Sequence, residues 1–215
     1  KGDITNMIRS YIHRCQKDGV KIVMNCEVTP ELIKEEKPDS VIIATGSKTL
    51  ILPIEGIDNP AIIHGSDLLD GKRAAGKKVL VVGGGMVGCE TAAFLGEQEH
   101  DVTVIEFRDT VGADVIHEHR VYLMKDFEDY GIKEITGAKV CKFYEDGVEY
   151  ETADGVRHES RGYDSVILSM GFRNYNPLEE KIKDLVPETH VIGDAIRARR
   201  ALDATKEAYE VASRI

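Results

Sequence analysis

The first apolar positions of the chain, Ile4, Met7, Ile8, Tyr11, Ile12 and Cys15, recur at helical spacing, and Gly19 supplies a stop, so a packed helix is expected there. Residues 20–28 (VKIVMNCEV) read as a strand, and residues 41–45 (VIIAT) as a fully buried one between Pro38-Asp39 and Gly46. Residues 50–76 carry X-Pro bonds at Pro53 and Pro60 and several glycines, which predicts an irregular connection with one short helical turn at 66–69. A lobe boundary near residue 48 follows. Residues 79–82 form the next apolar strand, then come a glycine cluster, a helix to about residue 98 and a strand at 102–106, a complete βαβ unit. A helix over 115–130 ends at Gly131. Short strands at 140–144, 148–152 and 156–159, joined by Asp146-Gly147 and Asp154-Gly155 turns, predict an antiparallel meander. Residues 163–169 and 190–192 are further buried strands, the second followed by Gly193-Asp194 and an alanine-rich helix. The fold class is α/β.

A length of 215 residues has room for one large domain or two small ones, each able to bury a core. With 42% hydrophobic and 31% charged residues, no apolar run long enough for a bilayer and no signal-like amino terminus, the chain reads as an ordinary cytoplasmic protein with no membrane partner. The net charge of −10 argues against nucleic acid or anionic lipid as partner, which leaves a small molecule. Cys15, Cys26, Cys89 and Cys141 show no C-x-x-C or metal-ligand spacing, so neither a zinc site, an iron-sulfur ligand set nor a redox dithiol is expected within the chain. The sequence opens at Lys1, without Met, directly into an amphipathic pattern. It is therefore expected to be an excised piece, with part of the active site upstream.

The chemistry concentrates between Lys78 and Glu106. Gly83-Gly84-Gly85-Met86-Val87-Gly88 fits G-x-G-x-x-G, placed after a strand and opening a helix. Gly83 permits the tight turn, Gly85 lets backbone approach a pyrophosphate, and Gly88 lets the helix pack closely on the strand. The helix's first N–H groups and its dipole receive the phosphates. Glu106 ends the next strand, where an acid holds the adenosine ribose hydroxyls and repels the 2′-phosphate of NADP. This favours NAD(H), with Arg108 nearby as the one opposing feature. The structural alternative is a glycine-rich turn with a surface glutamate.

With these residues in place, the chain resembles the flavoprotein pyridine-nucleotide oxidoreductases that carry two dinucleotide-binding domains, the NAD domain inserted into the FAD domain. Ala44-Thr45-Gly46 and Ser169-Met170-Gly171 stand where the two crossings of that family lie, and Gly193-Asp194 matches its late Gly-Asp. Ser169-Met170 departs from the more usual Ala-Thr pair. The resemblance implies a partial FAD domain from residues 1–48 and 170–215, with Ala44, Thr45, Gly46, Gly193 and Asp194 on the flavin. It implies a Rossmann-like NAD(H) domain over 49–169, with Gly83, Gly85, Met86, Val87, Gly88, Glu90, Glu106 and Gly171 on NAD. Glu90 stands near the nicotinamide ribose or serves the helix dipole, and Met86 and Val87 line the pocket or simply pack. VIIATGS, LPIEGID and VIGDA carry a narrower likeness, to the carboxy-terminal part of 2,4-dienoyl-CoA reductase and enoate reductase-like enzymes with an old-yellow-enzyme-type barrel upstream. That likeness extends to FMN and an iron-sulfur cluster in the upstream catalytic domain. Thioredoxin reductase is disfavoured because no C-x-x-C lies in the insert.

His117 and His119 point about 200° apart on a helix, so a shared metal is not expected and a solvated face is. The Arg197, Arg199 and Arg200 cluster is likewise expected to be solvated, and Cys89 to be a small apolar filler. No catalytic acid or base is assigned. The expected activity is that of an NADH-dependent flavin oxidoreductase, hydride passing from NADH to FAD and on to a centre outside the chain. Two rivals stay open: a nucleotide-binding module or remnant without turnover, and part of a free NADH oxidase or ferredoxin reductase.

Overall fold

In the computed structural model, which describes Gly2–Ile215, the first helix, α1 (Gly2–Lys17), forms where the spacing predicts it. Its apolar stripe is not packed as expected: Ile4, Met7, Ile8, Tyr11 and Ile12 stay between 46% and 53% exposed. Helical period is a local property, whereas burial needs a neighbour. Residues 20–28 correct the sequence reading more sharply, since they form no strand and leave Val20, Ile22, Val23, Met24 and Val28 exposed. An extended segment becomes a strand only when a second one satisfies its N–H and C=O groups, and none of the described strands pairs with it. A helix the periodicity missed, α2 (Pro30–Glu36), is instead set by its caps. Thr29 Oγ1 accepts the Leu32 N–H at 3.3 Å, Pro30 opens the helix, and Lys37, at φ 48°, closes it with its N–H on the Ile33 carbonyl. Strand β1 (Ser40–Ile43) follows.

Along the chain, one compact unit, Gly46–Tyr175, is inner in sequence, and a second unit, outer in sequence, is built from Lys1–Thr45 and Asn176–Ile215. The two units divide at 45/46 and 175/176. The reason is an antiparallel ribbon of β2 (Ser47–Thr49) with a late strand described below, in which Ser47 faces Asn174 and Thr49 faces Phe172. Next come β3 (Ile63–His64), the short α3 (Gly65–Leu69), β4 (Lys78–Val82), α4 (Met86–Glu97), β5 (Asp101–Ile105), α5 (His117–Asp129) and β6 (Lys133–Ile135). The meander is β7 (Lys139–Tyr144), β8 (Gly147–Glu151) and β9 (Arg157–Ser160), and β10 (Ser165–Leu168) and the ribbon strand β11 (Phe172–Asn174) complete the unit.

Its main sheet is parallel, in the order β3-β10-β4-β5-β6. The sequence shows the three central strands as predominantly apolar runs because both faces are covered. Val79, Val81, Val102, Val104 and Ile167 meet Cys89, Ala92, Leu95, Leu123 and Phe127 of the helices. On the opposite face Leu80, Val82, Ile105, Val166 and Leu168 meet Val140, Phe143, Val148 and Tyr163 of the meander layer. The two strands the sequence did not reveal, β3 and β6, are the short edges. One turn differs from expectation. Gly147 pairs with Tyr144 inside the ladder, so the hairpin turns at Glu145-Asp146, and the glycine is there because a Cβ would lie 2.0 Å from the Ser160 carbonyl oxygen.

Back in the outer unit, α6 (Glu179–Ile182) buries Ile182 beside Ile33, Ile43, Leu178 and Val186. Strand β12 (Glu188–Val191) pairs in parallel with β1, and a 3-10 turn (Gly193–Ala195) leads to α7 (Ala201–Ala212). Among the described residues no helix is long and apolar enough to cross a membrane.

Candidate functional site

The glycine cluster forms the turn between β4 and α4 at the carboxyl end of the parallel sheet. Gly83 has φ +104°, and a side chain there would put Cβ 2.4 Å from the Ser169 carbonyl oxygen, so the Ser169-Met170 crossing lies directly against the turn. Gly88 faces the same turn from the helix: a Cβ would fall 1.8 Å from the Gly83 carbonyl oxygen. Gly84, given no task in the sequence reading, is the most heavily engaged of the cluster. Its N–H donates to Glu106 Oε2 at 2.6 Å, and its carbonyl accepts the Gly112 N–H at 2.7 Å and the Cys89 thiol at 3.2 Å. Cys89 is fully buried, and burial pushes its thiol up to about 12, so it stays protonated and serves as a donor that braces the turn.

Glu106, half-buried just past β5, also accepts the Arg108 N–H through Oε1 at 2.9 Å. One hydrogen bond per oxygen leaves lone pairs for a ribose hydroxyl. The carboxylate thus braces the glycine turn while keeping acceptor capacity to spare. Gly85 is the N-cap of α4, with ordinary backbone angles (φ −72°, ψ −176°), so it is not needed for the turn itself. The three atoms nearest to a Cβ on it all belong to the Asp114 carboxylate, the first at 3.3 Å. That same carboxylate accepts the Met86 N–H at 2.9 Å. Nothing in the sequence pattern marked Asp114.

The amides of Met86, Val87 and Gly88 precede the first intrahelical bond, from the Cys89 N–H to the Gly85 carbonyl at 2.9 Å, and are the donors a phosphate needs. With the bare Gly85, this arrangement fits a dinucleotide. Met86 packs against the helix-side core, and the Val87 carbonyl accepts the buried Thr91 hydroxyl at 2.7 Å. Glu90 stands one turn along α4 and meets His119 Nε2 of α5 at 3.3 Å, so His119 is not simply solvated as expected. Gly171, at φ +99°, accepts the Leu50 N–H at 2.9 Å and begins the returning ribbon. The Ser169 hydroxyl is buried and has no hydrogen-bond partner.

In the outer unit, pairing of Ile43 with Val191 brings Ala44-Thr45 and Gly193-Asp194 to the same ends of β1 and β12. Gly46 falls just inside the other unit, with φ +76° and its carbonyl accepting the Tyr175 N–H at 3.0 Å. The Gly193 N–H donates to Glu207 Oε2 at 2.7 Å, and Asp194 Oδ1 accepts the Arg199 N–H at 3.1 Å. Arg199 also pairs with Glu207, and the Arg200 N–H donates to Asp203 Oδ2 at 3.2 Å at the start of α7, so two of the three arginines serve the turn and helix and are not merely solvated. The Arg199 guanidinium and the Gly193 N–H hold the Glu207 carboxyl below its ordinary value.

Over its whole length the chain is 30% identical to the cinnamate reductase of Clostridium sporogenes, covering 32% of that protein. Over 92% of its length it is 32% identical to the NADH oxidase of Thermoanaerobacter brockii, covering 31% of it. Among solved structures, that of 2-naphthoyl-CoA reductase in complex with 2-naphthoyl-CoA superposes over 99% of the chain with a TM-score of 0.89 and 31% identity, again on 32% of the larger chain. The chain thus spans about a third of the length of these relatives. The profile of the pyridine nucleotide-disulphide oxidoreductases matches residues 3–192, and the chain belongs to that family of flavoprotein NAD(P)H oxidoreductases.

Proposed function

We propose that the chain is the NAD(H)-binding module, together with part of the flavin-binding lobe, of an NADH-dependent flavoprotein oxidoreductase whose catalytic centre lies in an upstream domain of old-yellow-enzyme type. The observation that carries this is the single constellation of a bare Gly85 at the start of α4 and Glu106 hydrogen-bonded to the Gly84 N–H. In this reading the NAD(H) domain is the expected 49–169 segment extended by its ribbon to Gly46–Tyr175. The α4 amides hold the pyrophosphate, and Glu106 takes the ribose hydroxyls.

Ala44, Thr45, Gly46, Gly193 and Asp194 would hold FAD on its ribityl side. The bound cofactors supply hydride and electron chemistry, while the chain's residues bind, orient and exclude water. FMN and an iron-sulfur cluster belong, on the same reading, to the upstream domain. Fluorescence titration of the chain with NADH and NADPH tests the proposal. NADH is expected to bind at least tenfold more tightly, an advantage of about 1.4 kcal/mol or more. Equal or reversed affinity would overturn the assignment of Glu106.

A further inference from the structure

We infer that Asp114 is a latch on the pyrophosphate cradle, holding the first amide of α4 while no dinucleotide is bound and leaving it when one arrives. The inference rests on the dinucleotide reading of the Gly83–Gly88 turn. Two contacts carry it. The Met86 N–H donates to Asp114 Oδ1 at 2.9 Å, and the Cβ that Gly85 lacks would lie 3.3 Å from Oδ2 and 3.5 Å from Oδ1 of the same carboxylate. The space a glycine keeps open for a phosphate is therefore occupied by an anion of the chain's own.

The local chemistry explains why it is there. Gly85, as N-cap, has no side-chain oxygen to offer the exposed amides of α4, and Asp114 supplies one from the loop ahead of α5. That loop is clipped to the glycine turn by the Gly112 N–H on the Gly84 carbonyl at 2.7 Å, and Val111 and Val115 bury themselves on either side. Asp114 itself is exposed. Its side chain can therefore swing into water by rotation about χ1 without undoing the clip, so the latch needs no loop opening.

A carboxylate and a phosphate cannot share one N–H, and their like charges oppose joint occupancy. Dinucleotide affinity is then reduced by the fraction of chains in which the latch is open. A latch closed nine-tenths of the time weakens binding about tenfold. Ligands without phosphate are exempt.

The test uses the full 215-residue chain, with ADP-ribose as the pyrophosphate ligand and adenosine as the control. Asp114→Ala is expected to tighten ADP-ribose about tenfold and to change adenosine less than about twofold. Asp114→Asn keeps an acceptor for the Met86 amide without the charge, which guards against loss of the cap, and is expected to tighten ADP-ribose about threefold. Hydrogen exchange at the Met86 amide should be slow in the free wild type, fast in free Asp114→Ala, and slow again with ADP-ribose. Unchanged or weaker ADP-ribose binding in both folded variants, with the wild type still binding, overturns the latch and leaves the site standing. No ADP-ribose binding by wild type or variants overturns the site and the latch together.

Discussion

Replacing Gly88 by alanine puts a methyl carbon 1.8 Å from the Gly83 carbonyl oxygen and 2.9 Å from its carbon. Both obstacles are backbone in a turn fixed on one side by the Gly83 N–H on the Ile105 carbonyl at 2.9 Å and on the other by the Ser169-Met170 crossing. Relief therefore has to come from α4. Restoring an ordinary contact needs a retreat of roughly 1.4 Å, which loosens Cys89, Ala92 and Leu95 from the sheet they bury against. Overpacking of this kind costs about 3 kcal/mol, and the better helix propensity of alanine returns about 1 kcal/mol, leaving a net loss of about 2 kcal/mol. Gly85→Ala is the matched control. Its backbone is ordinary and the nearest group to its methyl is the exposed Asp114 carboxylate, so stability should stay within about 0.5 kcal/mol while NADH affinity falls at least tenfold. The chain has no tryptophan, so urea denaturation is best followed by far-UV circular dichroism. With a slope near 2 kcal/mol per molar, the midpoint of Gly88→Ala should drop by about 1 M and that of Gly85→Ala should hardly move. An unchanged midpoint for Gly88→Ala would refute the argument that this glycine is set by the turn. Wild-type NADH affinity in Gly85→Ala would place the pyrophosphate elsewhere.

Three further outcomes are expected. Glu106→Ala should abolish the preference for NADH over NADPH and, by orphaning the Gly84 and Arg108 amides, destabilise the inner unit by about 1–2 kcal/mol; a preserved preference in the titration removes Glu106 from the ribose. Cys89 ionises near its ordinary value of 9.0 only when unfolded and at about 12 when folded, so the unfolded state sheds its proton first and stability falls as pH rises through that window. Cys89→Ala should flatten this alkaline slope in denaturation curves, and in native wild type at pH 8 a thiol reagent should spare Cys89; prompt labelling there would contradict its burial. The only G-x-G-x-x-G in these 215 residues is the one at Gly83–Gly88, so the purified chain should be colourless yet bind NADH; a yellow preparation keeping stoichiometric FAD through gel filtration would defeat that expectation.

Legibility differed by the range of the forces involved. The sequence alone determined the βαβ core around β4, α4 and β5, because valine-rich apolar runs, a glycine cluster and a terminal acid are local patterns with local causes. It also placed the meander within a residue or two, since alternation and turn residues lie next to each other in the chain. It could not reveal β3, β6 or the ribbon of β2 and β11, whose two or three residues carry no period and exist only because a partner strand satisfies their backbone. For the same reason residues 20–28, strand-like in composition, are not a strand, and the stripe of α1 is amphipathic without being buried. At the site, the motif named Gly83, Gly85, Gly88 and Glu106 but was silent on Asp114 and His119. Asp114 reaches Met86 across 28 intervening steps of chain, and His119 reaches Glu90 across 29. Contacts of that separation have no periodic signature, so only the packing of the loop and α5 against α4 could decide which charges stand over the cradle.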